Sequence, residues 1–81
     1  MNRIKWHPLD DDDFIAAWAY SRQSKRLFLR FRNRTTYRFD DISRYSVDQF
    51  KANIETGLLS PREFFNCYWK DTPNQTELLN Y

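Results

Sequence analysis

Glycine, cysteine, histidine and methionine each occur once in these 81 residues, and proline three times. A single glycine leaves no glycine-rich loop, so no phosphate cradle of the P-loop or dinucleotide-binding kind can be built. A single cysteine excludes an internal disulfide, which suits a reducing compartment. One histidine and one cysteine cannot supply a zinc site of the usual ligand count unless carboxylates join them. No apolar run nears the roughly 20 residues that cross a bilayer as a helix. The opening MNRIKWHPLDDDD carries no hydrophobic segment of signal-peptide type. These absences lead us to expect a cytoplasmic protein with no membrane partner, no metal or cofactor, and no evident small-molecule substrate.

Aromatic residues are plentiful instead: seven Phe, five Tyr and three Trp, 19% of the chain. The length allows one domain near the lower limit for a self-sufficient core, and each buried ring removes a large apolar area from water. The net charge is only +2, but it is unevenly spread. Residues 22–44 hold eight basic side chains against Asp40 and Asp41, while the remainder holds five basic and nine acidic ones. Such asymmetry steers an anionic ligand to the basic region. Arginines on a strand also serve the blander purpose of keeping a sheet edge from aggregating.

The basic region has a readable pattern. In RLFLRFRNRTTYRF, residues 26–39, Leu27, Leu29 and Phe31 alternate with Arg26, Phe28, Arg30 and Arg32. A period of two sends one set to a core and the other to solvent. Asn33-Arg34 reads as a tight turn, and Tyr37, Arg38 and Phe39 resume the alternation on a returning strand. FIAAWAY, residues 14–20, reads as an earlier strand, apolar on both faces, joined to the hairpin by the polar SRQSK. Three strands with short turns most simply form an antiparallel meander.

Two helices are expected next. Ser46-Val47-Asp48-Gln49 fits a capping box, with Tyr45 and Phe50 at the staple positions and Gly57 placed to end the helix. Ser60-Pro61-Arg62-Glu63 is a second start, with Pro at N1, Glu at N3, and Leu59 and Phe64 as its staple. Pro73 sets its latest end. The expected architecture is α+β: a three-stranded antiparallel meander followed by two helices packed on one face. Leu27, Leu29, Phe31, Tyr37 and Phe39 would meet Val47, Phe50, Ile54, Phe64 and Tyr68. Residues 1–13 would be a leader, 14–70 the domain, and 71–81 a polar tail carrying Leu78, Leu79 and Tyr81.

The order of these patches resembles the KTSC domain, named for the C-terminal extension of some lysyl-tRNA synthetases and found also as small bacterial and phage proteins. Ile15, Trp18 and Tyr20 take the places of its opening Ile, aliphatic and Tyr. Leu27, Leu29 and Phe31 match its L-x-V-x-F strand, and Tyr37-Arg38-Phe39 its Y-x-Y motif. Ser60 to Asn66, SPREFFN, resembles its closing S-x-G-x-F-F-N. Arg34 and Arg62 stand where the family has glycine, and the segment between Asp41 and Ser60 is longer. The resemblance implies the same βββαα fold, and an RNA-binding role surmised from the synthetase context.

Little in the chain points to catalysis. His7 has no evident orienting partner for general-base work. Cys67 lies within the last helix among aromatics, away from the helix N-terminus or cationic setting that activates a thiolate, and reads as a half-buried small apolar residue. Asn66 reads as a half-buried amide tied to the sheet or a loop. Asp10–Asp13 lack the spacing of a calcium loop; they read as solvated charge or as partners for the hairpin arginines. The binding candidate is the outward set Arg26, Phe28, Arg30, Arg32, Arg34 and Arg38. Guanidinium groups would meet phosphates while Phe28 stacks on a base of single-stranded RNA. The same side chains would equally suit an acidic protein surface, for instance a host complex met by a phage- or mobile-element-encoded inhibitor.

Overall fold

A computed structural model describes residues 4–79. The chain runs β1 (His7–Pro8), β2 (Ile15–Ser21), β3 (Arg26–Phe31), β4 (Thr36–Phe39), α1 (Arg44–Thr56), α2 (Pro61–Phe64) and β5 (Gln75–Leu78). The sheet is antiparallel throughout and has five strands in sequence order, not the three expected. Both extra strands come from the segments read as leader and tail. β1 covers the free edge of β2, and β5 that of β4, so the β2–β4 meander is central. Strands this short and polar show too little alternation to be read from sequence, but an unpaired edge gives them a template. Tyr81 lies outside the described residues.

Register explains why β2 is apolar on both sides. Ile15 pairs with Phe31 and Ala17 with Arg30, so Ala16 is an extra residue forming a bulge. The bulge puts Ile15, Trp18 and Tyr20 on one face, facing the helices with Leu27, Leu29, Phe31 and Phe39. Ala17 and Ala19 take the other face. The helices pack on the first face only, through Val47, Phe50, Phe64, Phe65 and Trp69. Phe65 meets Phe31 and Phe39 at centroid distances of 5.4 and 6.1 Å. Tyr37 and Ile54 sit at the margin of this core, half-buried.

α1 starts three residues earlier than its capping signal suggested. Its N-cap is Ser43, whose Oγ accepts the Ser46 N–H at 3.1 Å. Ile42 and Val47, both buried, therefore fill the staple positions, while Tyr45 turns outward and is 72% exposed. Ser46 has another duty: its hydroxyl accepts the Trp69 indole N–H at 3.1 Å. Gly57 ends the helix at φ +74°, in the left-handed region.

The second helix begins as its sequence indicates. The Ser60 hydroxyl accepts from the Glu63 N–H at 3.1 Å, and the Glu63 carboxylate accepts from the Ser60 N–H at 2.9 Å. Hydrogen bonding from Ser60 to the Glu63 carboxylate, its backbone N–H foremost and then its side chain, lowers the carboxyl's pKa from the ordinary value. From Phe65 to Trp69 the helix widens to a π turn, closed by Lys70 N–H to the Phe65 carbonyl at 2.8 Å. Tyr68, expected in the core, packs on Phe64 with centroids 4.6 Å apart but remains 63% exposed. Asn66 and Cys67, expected half-buried, are exposed on the same turn.

Candidate nucleic-acid or protein interface

Among the described elements, no helix packs on the second sheet face. Arg26, Phe28 and Arg30 of β3 point there, beside Ala17 and Ala19 of β2 and Thr36 and Arg38 of β4. The two alanines leave room above the sheet, and Trp6 occupies part of it. Its ring meets Phe28 edge-on at 6.5 Å, and the Arg30 guanidinium carbon lies 4.2 Å from the Trp6 ring centre. Phe28 is only 7% exposed. The expected base-stacking ring is not presented to solvent; Trp6 and Arg30 lie closer to that surface, both half-buried.

Arg26 and Arg38 share one carboxylate. Their Nε atoms lie 3.2 and 3.1 Å from Asp40 Oδ1, and Arg38 Nη2 donates to Asp40 Oδ2 at 3.5 Å. The Arg38 Nε contact is close but poorly aligned for a hydrogen bond, so it acts mainly as charge pairing. The side chains are 29–46% exposed, so solvent screening holds each pairing to about 1 kcal/mol. The arrangement chiefly fixes geometry, and one carboxylate leaves the pair of arginines with net positive charge.

Arg32 and Arg34 leave this group. β3 ends at Phe31, and Arg32 turns to the leader, donating from Nη2 to the Leu9 carbonyl at 2.7 Å and from Nε to the Asp12 carbonyl at 3.0 Å. Arg34 sits exposed in the hairpin turn at φ +73°, the left-handed position where the resembling family has glycine. Asn33 closes the turn through its side-chain oxygen, which accepts from the Thr35 N–H at 3.0 Å. Among the described residues no ion pair joins Asp10–Asp13 to the hairpin arginines. Asp12 instead accepts from the Phe14 N–H at 3.0 Å and shapes the entry to β2.

His7 is held in β1, its ring stacked 4.3 Å from that of Trp18. Burial, with Lys5 and Lys51 nearby, keeps its pKa below the ordinary imidazole value. Trp6 is the residue that sequence reasoning passed over. Its one signal was Ala17 and Ala19 alternating with Trp18 and Tyr20, small residues where a covering ring would fit.

No family model matches the sequence, and no curated protein matches it. Among solved structures, the crystal structure of a KTSC domain protein from Yersinia pestis superposes with a TM-score of 0.73. The match covers 95% of this chain and all of that one, at 17% identity. This chain has the fold of a KTSC domain. At this identity, the likeness carries the KTSC fold and nothing about a ligand.

Proposed function

We propose that the protein is a small non-enzymatic binding module of the cytoplasm that holds single-stranded RNA on its helix-free sheet face. The observation that carries this reading is the Arg30–Trp6 stack beside the Arg26–Asp40–Arg38 cluster. A guanidinium lying on an indole extends a flat, cationic platform on which a base can stack, and neighbouring arginines supply phosphate contacts. Trp6 and Arg30 take the role that the sequence suggested for Phe28. Arg32 and Arg34 are peripheral to the platform. A fluorescence titration of short RNA oligonucleotides at low salt tests the reading. Micromolar binding lost in Arg30→Ala supports it, and millimolar or absent binding removes it.

One observation favours a second reading. Asp40 holds Arg26 and Arg38 in place before any partner arrives, and pre-ordered arginines are well suited to a protein–protein hot spot on an acidic surface. A phage- or mobile-element-encoded inhibitor of a host complex would use them so. A pull-down from lysate with and without ribonuclease separates the two, since only RNA-dependent capture is lost on digestion.

A further inference from the structure

Cations gather a second time on the helix side of the sheet, away from the hairpin face. Arg44, Asp48 and Lys51 of α1 are spaced by four and three residues and so form one stripe of the helix. Together with His7 of β1, Tyr20 of β2 and Arg22 just beyond it, the stripe walls an open cleft of about 260 Å³. Trp18 and Val47 complete the lining. The Tyr20 hydroxyl is already used, donating to the Ile42 carbonyl at 2.6 Å. The one acid, Asp48, lies 3.8 Å from Arg44, a loose pairing between side chains that are 53% and 61% exposed. Three permanent cations therefore face one carboxylate in a concave site, with Lys5 close enough to His7 to act on its charge.

We propose that this cleft is a binding site for a phosphoryl group, with Arg22, Arg44 and Lys51 as its charged ligands and the His7 imidazole as a hydrogen-bonding neighbour. Arginine offers a planar fork for phosphate oxygens and lysine a compact point charge. His7 sits among Lys5, Arg22, Arg44 and Lys51, with Asp48 the opposing charge and Tyr20 neutral. A dianion would offset most of that positive charge and raise the histidine's pKa. The site is independent of the RNA reading, because it shares no residue with the Arg30–Trp6 platform.

The test is an NMR titration of the whole chain with inorganic phosphate at pH 7.5, against sodium chloride of matched ionic strength. The expected result is a saturable change at His7, Arg22 and Arg44, together with a higher His7 pKa when phosphate is present. Arg44→Gln combined with Lys51→Gln should weaken the response at least tenfold, while Arg30→Ala leaves it unchanged. Both substituted side chains are exposed, and if the double variant loses its dispersed spectrum, Lys51→Gln alone is read in the same titration and should weaken the response severalfold. Linear changes reproduced by chloride would overturn the proposal, as would a variant titrating like the parent. A saturable response centred on Arg26 and Arg38 would overturn it too and assign the anion to the hairpin face. RNA affinity measured on the same variants keeps the two sites apart, since Arg30→Ala should affect only RNA.

Discussion

The Trp69 indole N–H donates to the Ser46 hydroxyl at 3.1 Å, joining the end of the second helix to the first turn of α1. Trp69 is 2% exposed and packs on Phe50 and Phe64, so its donor has little access to water. A buried donor without a partner costs about 1–3 kcal/mol. Ser46→Ala should therefore destabilise the protein by about 1–2 kcal/mol in urea unfolding. An unchanged midpoint would show that the bond contributes nothing, since Ser46 does not cap α1.

The cap of the second helix gives a sharper comparison. Ser60→Ala removes the side-chain half of its capping box and should cost about 1 kcal/mol. Phe65→Ala should cost about 3 kcal/mol or more, because the ring is buried among Phe14, Phe31 and Phe39. Tyr37→Ala should cost less than Phe65→Ala, as Tyr37 is only half-buried. Denaturant midpoints for the three variants should follow that order.

Arg34 makes a prediction of opposite sign. A non-glycine residue at φ +73° carries about 1–2 kcal/mol of left-handed strain, and glycine recovers this less about 0.5–1 kcal/mol of its own entropy. Arg34→Gly should raise stability by about 0.5–1 kcal/mol in thermal or denaturant unfolding. RNA affinity should change little, because this side chain stands apart from the Arg30–Trp6 stack.

Salt dependence separates charge from stacking on the proposed RNA face. Each phosphate neutralised on a single strand contributes about −0.7 to the log–log slope, so Arg26, Arg30 and Arg38 together predict a slope near −2. Arg30→Ala should reduce its magnitude by somewhat less than one unit. Trp6→Ala should weaken binding by about 1–3 kcal/mol with little change in slope, since stacking is not ionic. Titrations at several salt concentrations read both quantities.

His7 makes stability depend on pH. Its folded pKa is lowered, chiefly by burial and then by Lys5 and Lys51, so the unfolded chain binds the proton more readily. The contribution of the neutral ring is complete above the unfolded value of about 6.5 and is lost as pH falls through the lower folded value. Urea midpoints compared between pH 8 and pH 5 should show a decline that His7→Asn reduces. Lys51→Gln should raise the His7 pKa, followed by NMR, because it removes a nearby positive charge.

Local chemistry in the sequence determined the central hairpin, the second helix cap and the end of α1. Alternation of Leu27, Leu29 and Phe31, the Ser60-Pro61-Arg62-Glu63 start and the lone Gly57 each act within a few residues. What depended on distant partners was decided only by tertiary structure. Ser43 and Ser46 both have a hydroxyl suited to an N-cap; Ser43 takes that place, while Ser46 accepts from Trp69, 23 residues away. His7–Pro8 and Gln75–Leu78 become strands because the meander leaves two unpaired edges, not because their own residues favour extension. Phe28 and Arg30 alternate outward as the pattern says, yet Trp6 lies against both on that face and Phe28 is buried. Periodicity reports which side of a strand a residue points to; whether that side meets water depends on what the rest of the chain lays across it.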